Sequence, residues 1–78
     1  MPTVLKIGSY RFFFYSNESD EPAHIHVERE DKEAKFWLVD VRLASSYGFT
    51  THELNKIKQM VVENKRVFLE KWYEYFTS

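Results

Sequence analysis

The feature that most constrains this chain is a change of hydrophobic period at Thr50. Before it, apolar residues tend to alternate with a period of two; after it, they return at steps of three, four and seven. The change coincides with a capping box, Thr50-x-x-Glu53, preceded by Phe49, which can staple the start of a helix. A helix is therefore predicted from about Thr51 to Phe76, with Leu54, Ile57, Val61, Phe68, Trp72 and Tyr75 on one stripe. Asn64 also falls on that stripe. Unbroken, such a helix would be about 39 Å long, more than a small sheet can cover. Either it breaks near Asn64 or its C-terminal half packs on something else.

The first part of the chain reads as strands. Thr3–Ile7 and Tyr10–Tyr15 flank Gly8-Ser9, a two-residue loop with glycine first, as a type II′ hairpin requires. The register pairs Ile7 with Tyr10, Leu5 with Phe12 and Thr3 with Phe14 on one face, and Lys6 with Arg11 and Val4 with Phe13 on the other. Ser16–Ala23 is a polar loop closed by Pro22. His24–Glu30 alternates again, Asp31-Lys32 fits a turn, and Glu33–Val39 returns antiparallel. That register pairs Glu28 with Lys35, Val27 with Phe36, His26 with Trp37 and Ile25 with Leu38. Ile25, Val27, Ala34, Phe36 and Leu38 then share an apolar face, and His24, His26, Glu28, Lys35 and Trp37 share the other. Val41–Ala44 is a short fifth strand and Ser45–Phe49 a loop. The predicted fold is α+β: a small, mainly antiparallel four- or five-stranded sheet packed by one long or kinked C-terminal helix, as a single domain over residues 1–78.

Composition narrows the class. Seventy-eight residues without cysteine leave apolar burial, or a partner chain, to hold the fold. An aromatic share of 18 % supplies bulky core side chains, and with a charged share of 29 % it is not a disordered composition. A formal net charge of −1 argues against a protein that coats nucleic acid non-specifically. No apolar run approaches a membrane span, and the N-terminus lacks a signal-peptide pattern, so a cytoplasmic setting is expected.

Four features could carry chemistry. His24-x-His26 places two imidazoles on one strand face, with Glu28 next along it. A metal there would need further ligands, and the pattern alone does not supply them, so neither metal nor cofactor is assigned. As a metal-free pair the histidines could serve as base and acid in phosphodiester cleavage, which also needs a nearby cation; the plainer alternative is two strand histidines that bond loop backbone and stack on Trp37. Lys6 and Arg11 face each other as like charges, so either a phosphate neutralises them or both are solvated. Phe13 and Tyr15 fall outside the core face, where they could stack bases or meet a partner, unless the helix or the 16–23 loop folds over them. Trp72, Tyr73, Tyr75 and Phe76 are too many aromatics for one helical stripe.

The segments Tyr10-Arg11-Phe12-Phe13-Phe14-Tyr15, Glu21-Pro22-Ala23-His24-Ile25-His26-Val27-Glu28-Arg29, Ala34-Lys35-Phe36-Trp37-Leu38, Val41-Arg42-Leu43-Ala44 and Trp72-x-Glu74-Tyr75-Phe76 resemble a small bacterial family, domain of unknown function 4160. The Pro-x-His-Ile-His-Val segment is the most specific. The resemblance implies a short, soluble protein whose gene often lies beside a second small gene, in pairs that look like toxin–antitoxin modules. The matching polar and aromatic positions are Arg11, Pro22, His24, His26, Lys35, Trp37 and Arg42.

Two expectations follow. In the first, the chain is the toxin-like component of such a pair and acts on RNA or the translation machinery, as a metal-independent ribonuclease if it is an enzyme. His24 and His26 would be catalytic, Lys6, Arg11, Lys35 and Arg42 would hold phosphate, and Phe13, Tyr15 and Trp37 would stack bases. In the second, it is a non-enzymatic protein-binding or regulatory module whose aromatics meet a small partner protein from the neighbouring gene. A homodimer would also account for the excess helix length and aromatic surface.

Overall fold

A computed structural model describes residues 3–15 and 20–77. Five strands come first: β1 (Thr3–Ile7), β2 (Tyr10–Phe13), β3 (His24–Arg29), β4 (Lys32–Trp37) and β5 (Arg42–Tyr47). They form an antiparallel meander in which spatial order follows chain order, β1-β2-β3-β4-β5. Two helices follow, α1 (Thr51–Glu63) and α2 (Lys65–Thr77). The fold is the expected α+β class, with the helical segment divided in two. Part of the expected 16–23 loop, residues 16–19, lies outside the described residues. No described helix is long and apolar enough to cross a membrane.

The capping box forms as predicted. Glu53 N–H donates to Thr50 Oγ1 at 3.1 Å, and the Glu53 carboxylate accepts from Thr50 N–H at 3.2 Å. The break falls on Asn64. Its backbone N–H turns to the carbonyls of Met60 and Val61, and its side-chain amide donates to Met60 O at 2.9 Å. An asparagine that bonds its own preceding turn competes with helix propagation, and α2 restarts at the next residue. The break lets both helices bury their stripe: Ile57, Val61, Phe68 and Trp72 are all buried, and Phe68 stacks on Phe12 with ring centroids 5.2 Å apart. Tyr75, expected on that stripe, is exposed.

The register corrects the sequence reading in three places. In β1–β2, Ile7↔Tyr10, Lys6↔Arg11 and Leu5↔Phe12 stand as predicted, but Thr3 meets Phe13, not Phe14. The irregularity between Thr3 and Leu5 leaves Val4 and Leu5 both packed against the core, the usual effect of a bulge. In β3–β4 the turn is Glu30-Asp31, so the pairs are Glu28↔Glu33, Val27↔Ala34, His26↔Lys35, Ile25↔Phe36 and His24↔Trp37. The predicted partners were two residues off, and because the side-chain period is also two, every residue kept its face. Finally, Ser45–Tyr47 is strand, not loop. Backbone pairing to Ala34 and Lys35 extends β5 through Ser45 and Ser46, despite their weak β preference, with an irregularity at Ala44.

Candidate functional site on the second face of the sheet

The helices cover one face of the sheet, and the pairings arrange the other in rows. Lys6, Arg11, Glu28, Glu33 and Tyr47 form one row; Thr3, Phe13, His26, Lys35 and Ser45 form the next; His24, Trp37 and Arg42 form a third. With Tyr15 just beyond β2, all nine residues singled out from the sequence therefore lie on or beside one face.

Phe13 and His26 form its centre. Their rings stack with centroids 5.4 Å apart. Tyr15 stands edge-on to both, at 5.1 Å from Phe13 and 4.6 Å from His26, and the Arg11 guanidinium lies 4.5 Å over the Phe13 ring. Phe13 has no exposed surface. The expectation that Phe13 stands outside is thus overturned, because an isolated sheet face becomes a second, minor core when its own aromatics and an arginine pack flat upon it.

His24 is deeper still. It is 0 % exposed and lies against His26, Trp37 and Trp72 at 5.1, 5.7 and 4.8 Å. Its Nδ1 is 2.8 Å from Pro22 O. A carbonyl only accepts, so Nδ1 carries the proton and the tautomer is fixed. His26 is 6 % exposed, and its Nδ1 lies 3.5 Å from a Glu33 carboxylate that also accepts from Tyr15 Oη at 3.3 Å. His26 also lines a groove of about 440 Å³ with Asp31, Glu33, Ser45, Ser46 and Tyr47. A general acid or base must reach the proton it moves. Of the two histidines, His26 borders open space and His24 is enclosed.

The cations expected to hold phosphate are mostly matched to carboxylates. Arg11 Nη1 is 2.5 Å from Glu28, Lys35 Nζ 2.5 Å from Glu21 and Arg42 Nε 2.6 Å from Asp40. Glu28, the neighbour of Arg11 across β2–β3, relieves the like-charge pairing of Lys6 with Arg11 that the sequence registered as a problem. Lys35 also lies 4.6 Å over the Trp37 ring. Lys6 meets no carboxylate among the described residues. Nor does any group of three or more His, Asp or Glu side chains there converge as a metal site.

Glu33, Asp31 and Tyr47, which shape the groove, were missed. The sequence register sets Glu33 two residues off its true partner and puts Tyr47 in a loop. The usable signal was alternation, which places Glu33 on the face of Lys35 and Trp37 wherever the turn falls.

The model of the family described as domain of unknown function 4160 matches residues 9–73. The chain belongs to that family. No curated protein and no solved structure matches it. The matched span includes the aromatic face, the helix cap and most of α2, so the family's sequence pattern covers nearly every residue that builds this face.

Proposed function

We propose that this member of domain of unknown function 4160 is a protein-binding module, the regulatory or partner-binding half of a two-gene pair. The observation that carries the reading is the state of the polar face: His24 is enclosed, and Arg11, Lys35 and Arg42 are each paired with a carboxylate. A face neutralised in this way has little left to attract a phosphate backbone. Exposed apolar surface lies on the helices as well as around β5. Val62, Val67 and Tyr73 are exposed, and Val62, Leu69 and Tyr73 line a shallow groove of about 580 Å³ beside the Asn64 break. Exposed apolar side chains gathered around a groove suit an amphipathic partner segment.

The test is co-expression with the product of the adjacent gene. A complex that purifies at fixed stoichiometry is expected, and Val62→Lys with Tyr73→Lys should abolish it while the circular dichroism spectrum and melting temperature stay unchanged. Persistence of the complex in that variant would overturn the helix groove as the binding surface, and absence of any complex with the parent would overturn the reading.

One observation favours the RNA-acting toxin as a second reading: the four cations and both histidines share a face. It predicts growth arrest on expression of the chain alone, relieved by Arg11→Ala with Arg42→Ala at equal soluble abundance. No arrest by the parent would remove it.

A further inference from the structure

β5 is the last strand of the sheet, and all six of its residues are exposed. Edge strands are normally blunted by charge, proline, a bulge or a covering element; β5 has a bulge at Ala44, but Ser45–Tyr47 beyond it keep a regular register. β1, at the opposite edge, carries Lys6 in mid-strand and is half-covered through Val4, Leu5 and Ile7. The interior of β5, Leu43-Ala44-Ser45-Ser46, carries no charge.

The irregularity at Ala44 gives this strand an internal symmetry. Leu43 and Ala44 share one position opposite Phe36, so the strand has Arg42, Leu43/Ala44, Ser45, Ser46 and Tyr47 as successive positions. Its centre is Ser45. Laid antiparallel against a second β5 about that centre, Ser45 meets Ser45, Leu43/Ala44 meets Ser46, and Arg42 meets Tyr47. Every opposed pair then lies on the same face, as antiparallel pairing demands.

The side chains at the two ends complement each other. Beside Tyr47 is the groove that holds Asp31 and Glu33. Beside Arg42 is a second groove, of about 430 Å³, lined by Pro22, Ala23, Trp37, Val39 and Asp40. In the two-fold arrangement the guanidinium of one copy, held at 2.6 Å by the exposed Asp40 carboxylate in the monomer, exchanges that weak surface pair for the acidic groove of the other copy and lies against its Tyr47, while Tyr47, 74 % exposed here, reaches the Trp37 groove. We propose that β5 is a homodimer edge: a second copy of this chain adds across a two-fold axis at Ser45 and joins the two sheets into one. The proposal is independent of the helix groove and of what that groove binds.

The decisive experiment is sedimentation velocity of the parent and of Ser45→Lys at concentrations up to about 100 μM, a range in which an interface of micromolar affinity is populated. Ser45 is exposed and its cross-strand neighbour Lys35 is held by Glu21, so the monomer should stay folded, which an unchanged circular dichroism spectrum checks, while two ammonium groups are placed opposite each other on the axis. A dimeric parent and a monomeric Ser45→Lys are expected. Arg42→Glu should weaken the dimer about tenfold or more, and Asp31→Arg added to Arg42→Glu should restore it. The chain has no cysteine, so Ser45→Cys gives a single thiol; with a Cu(II) oxidant taking up the two electrons, two copies should form a symmetric disulfide across the axis, where close-paired opposed Cβ atoms come to about 4.5 Å, the upper end of disulfide geometry. A monomeric parent overturns the proposal, as does a dimer indifferent to Ser45→Lys. A chain that stays monomeric yet binds the adjacent gene product would overturn the homodimer and leave the protein-binding reading standing.

Discussion

Phe13 and His26 stack face to face, centroids 5.4 Å apart, on the side of the sheet that the helices leave uncovered. Phe13 is completely buried there, in contact with Arg11, Tyr15 and His26. Phe13→Ala should therefore cost about 3–5 kcal/mol, the range for truncating a buried phenylalanine. A domain this small has a total stability of roughly 4–12 kcal/mol at typical values per residue. Urea denaturation would show a strongly lowered midpoint, or loss of the folded state if the parent lies at the lower end of that range. A change below about 0.5 kcal/mol, as for an exposed side chain, would mean that Phe13 is a surface stacking platform after all.

Glu30 sits at φ 57 in the β3–β4 turn, is exposed, and has its carboxylate 3.9 Å from Arg29 Nε. Left-handed backbone costs an ordinary L residue about 1–2 kcal/mol, and asparagine tolerates it best among residues with a side chain. Glu30→Asn should raise stability by about 0.5–1 kcal/mol, read as a higher urea midpoint at unchanged slope. Val41, at φ 47, is the contrasting case: it is buried in the core. Val41→Gly relieves the backbone and removes packing, and should lower the midpoint.

Gly48 has φ 87, and a Cβ placed on it would lie 2.9 Å from Lys32 Cγ. Gly48→Ala combines backbone strain with displacement of a side chain that approaches Glu53 at 3.8 Å. A loss of about 1–2 kcal/mol is expected in thermal or urea unfolding.

Glu53 has its carboxyl held below the usual glutamate range, first by the backbone N–H of Thr50, then by Lys32, the Thr50 hydroxyl and Arg29, with burial opposing. A depressed folded-state pKa contributes stability that is complete above the unfolded-state value and disappears as pH falls through the folded-state value. Glu53→Gln keeps a capping side chain but no charge. The parent should be the more stable of the two at pH 7, and the gap should close on acidification below the ordinary glutamate range. A gap that widens in acid would contradict the sign.

Much of this architecture was written in local pattern. Gly8-Ser9, Thr50-x-x-Glu53 and the placement of Asn64 on an apolar stripe announced the first hairpin, the start of α1 and the break before α2, because each rests on interactions within a few residues. The assignment of His24, His26, Lys35 and Trp37 to one face survived a two-residue error in register, since period-two alternation does not depend on which turn is used. Three things lay beyond local pattern. The extension of β5 through Ser45–Tyr47 depends on backbone bonding to β4, which overrides weak propensity. The matching of Arg11 and Lys35 to Glu28 and Glu21 depends on where side chains meet across strands and loops, whereas Arg42 meets Asp40 two residues away. The burial of Phe13 depends on rings brought from β2, β3 and the chain beyond β2. Sequence by itself determined which residues share a face; only tertiary structure decided which of them are covered and which charges are neutralised, because burial and ion pairing arise between segments far apart in the chain.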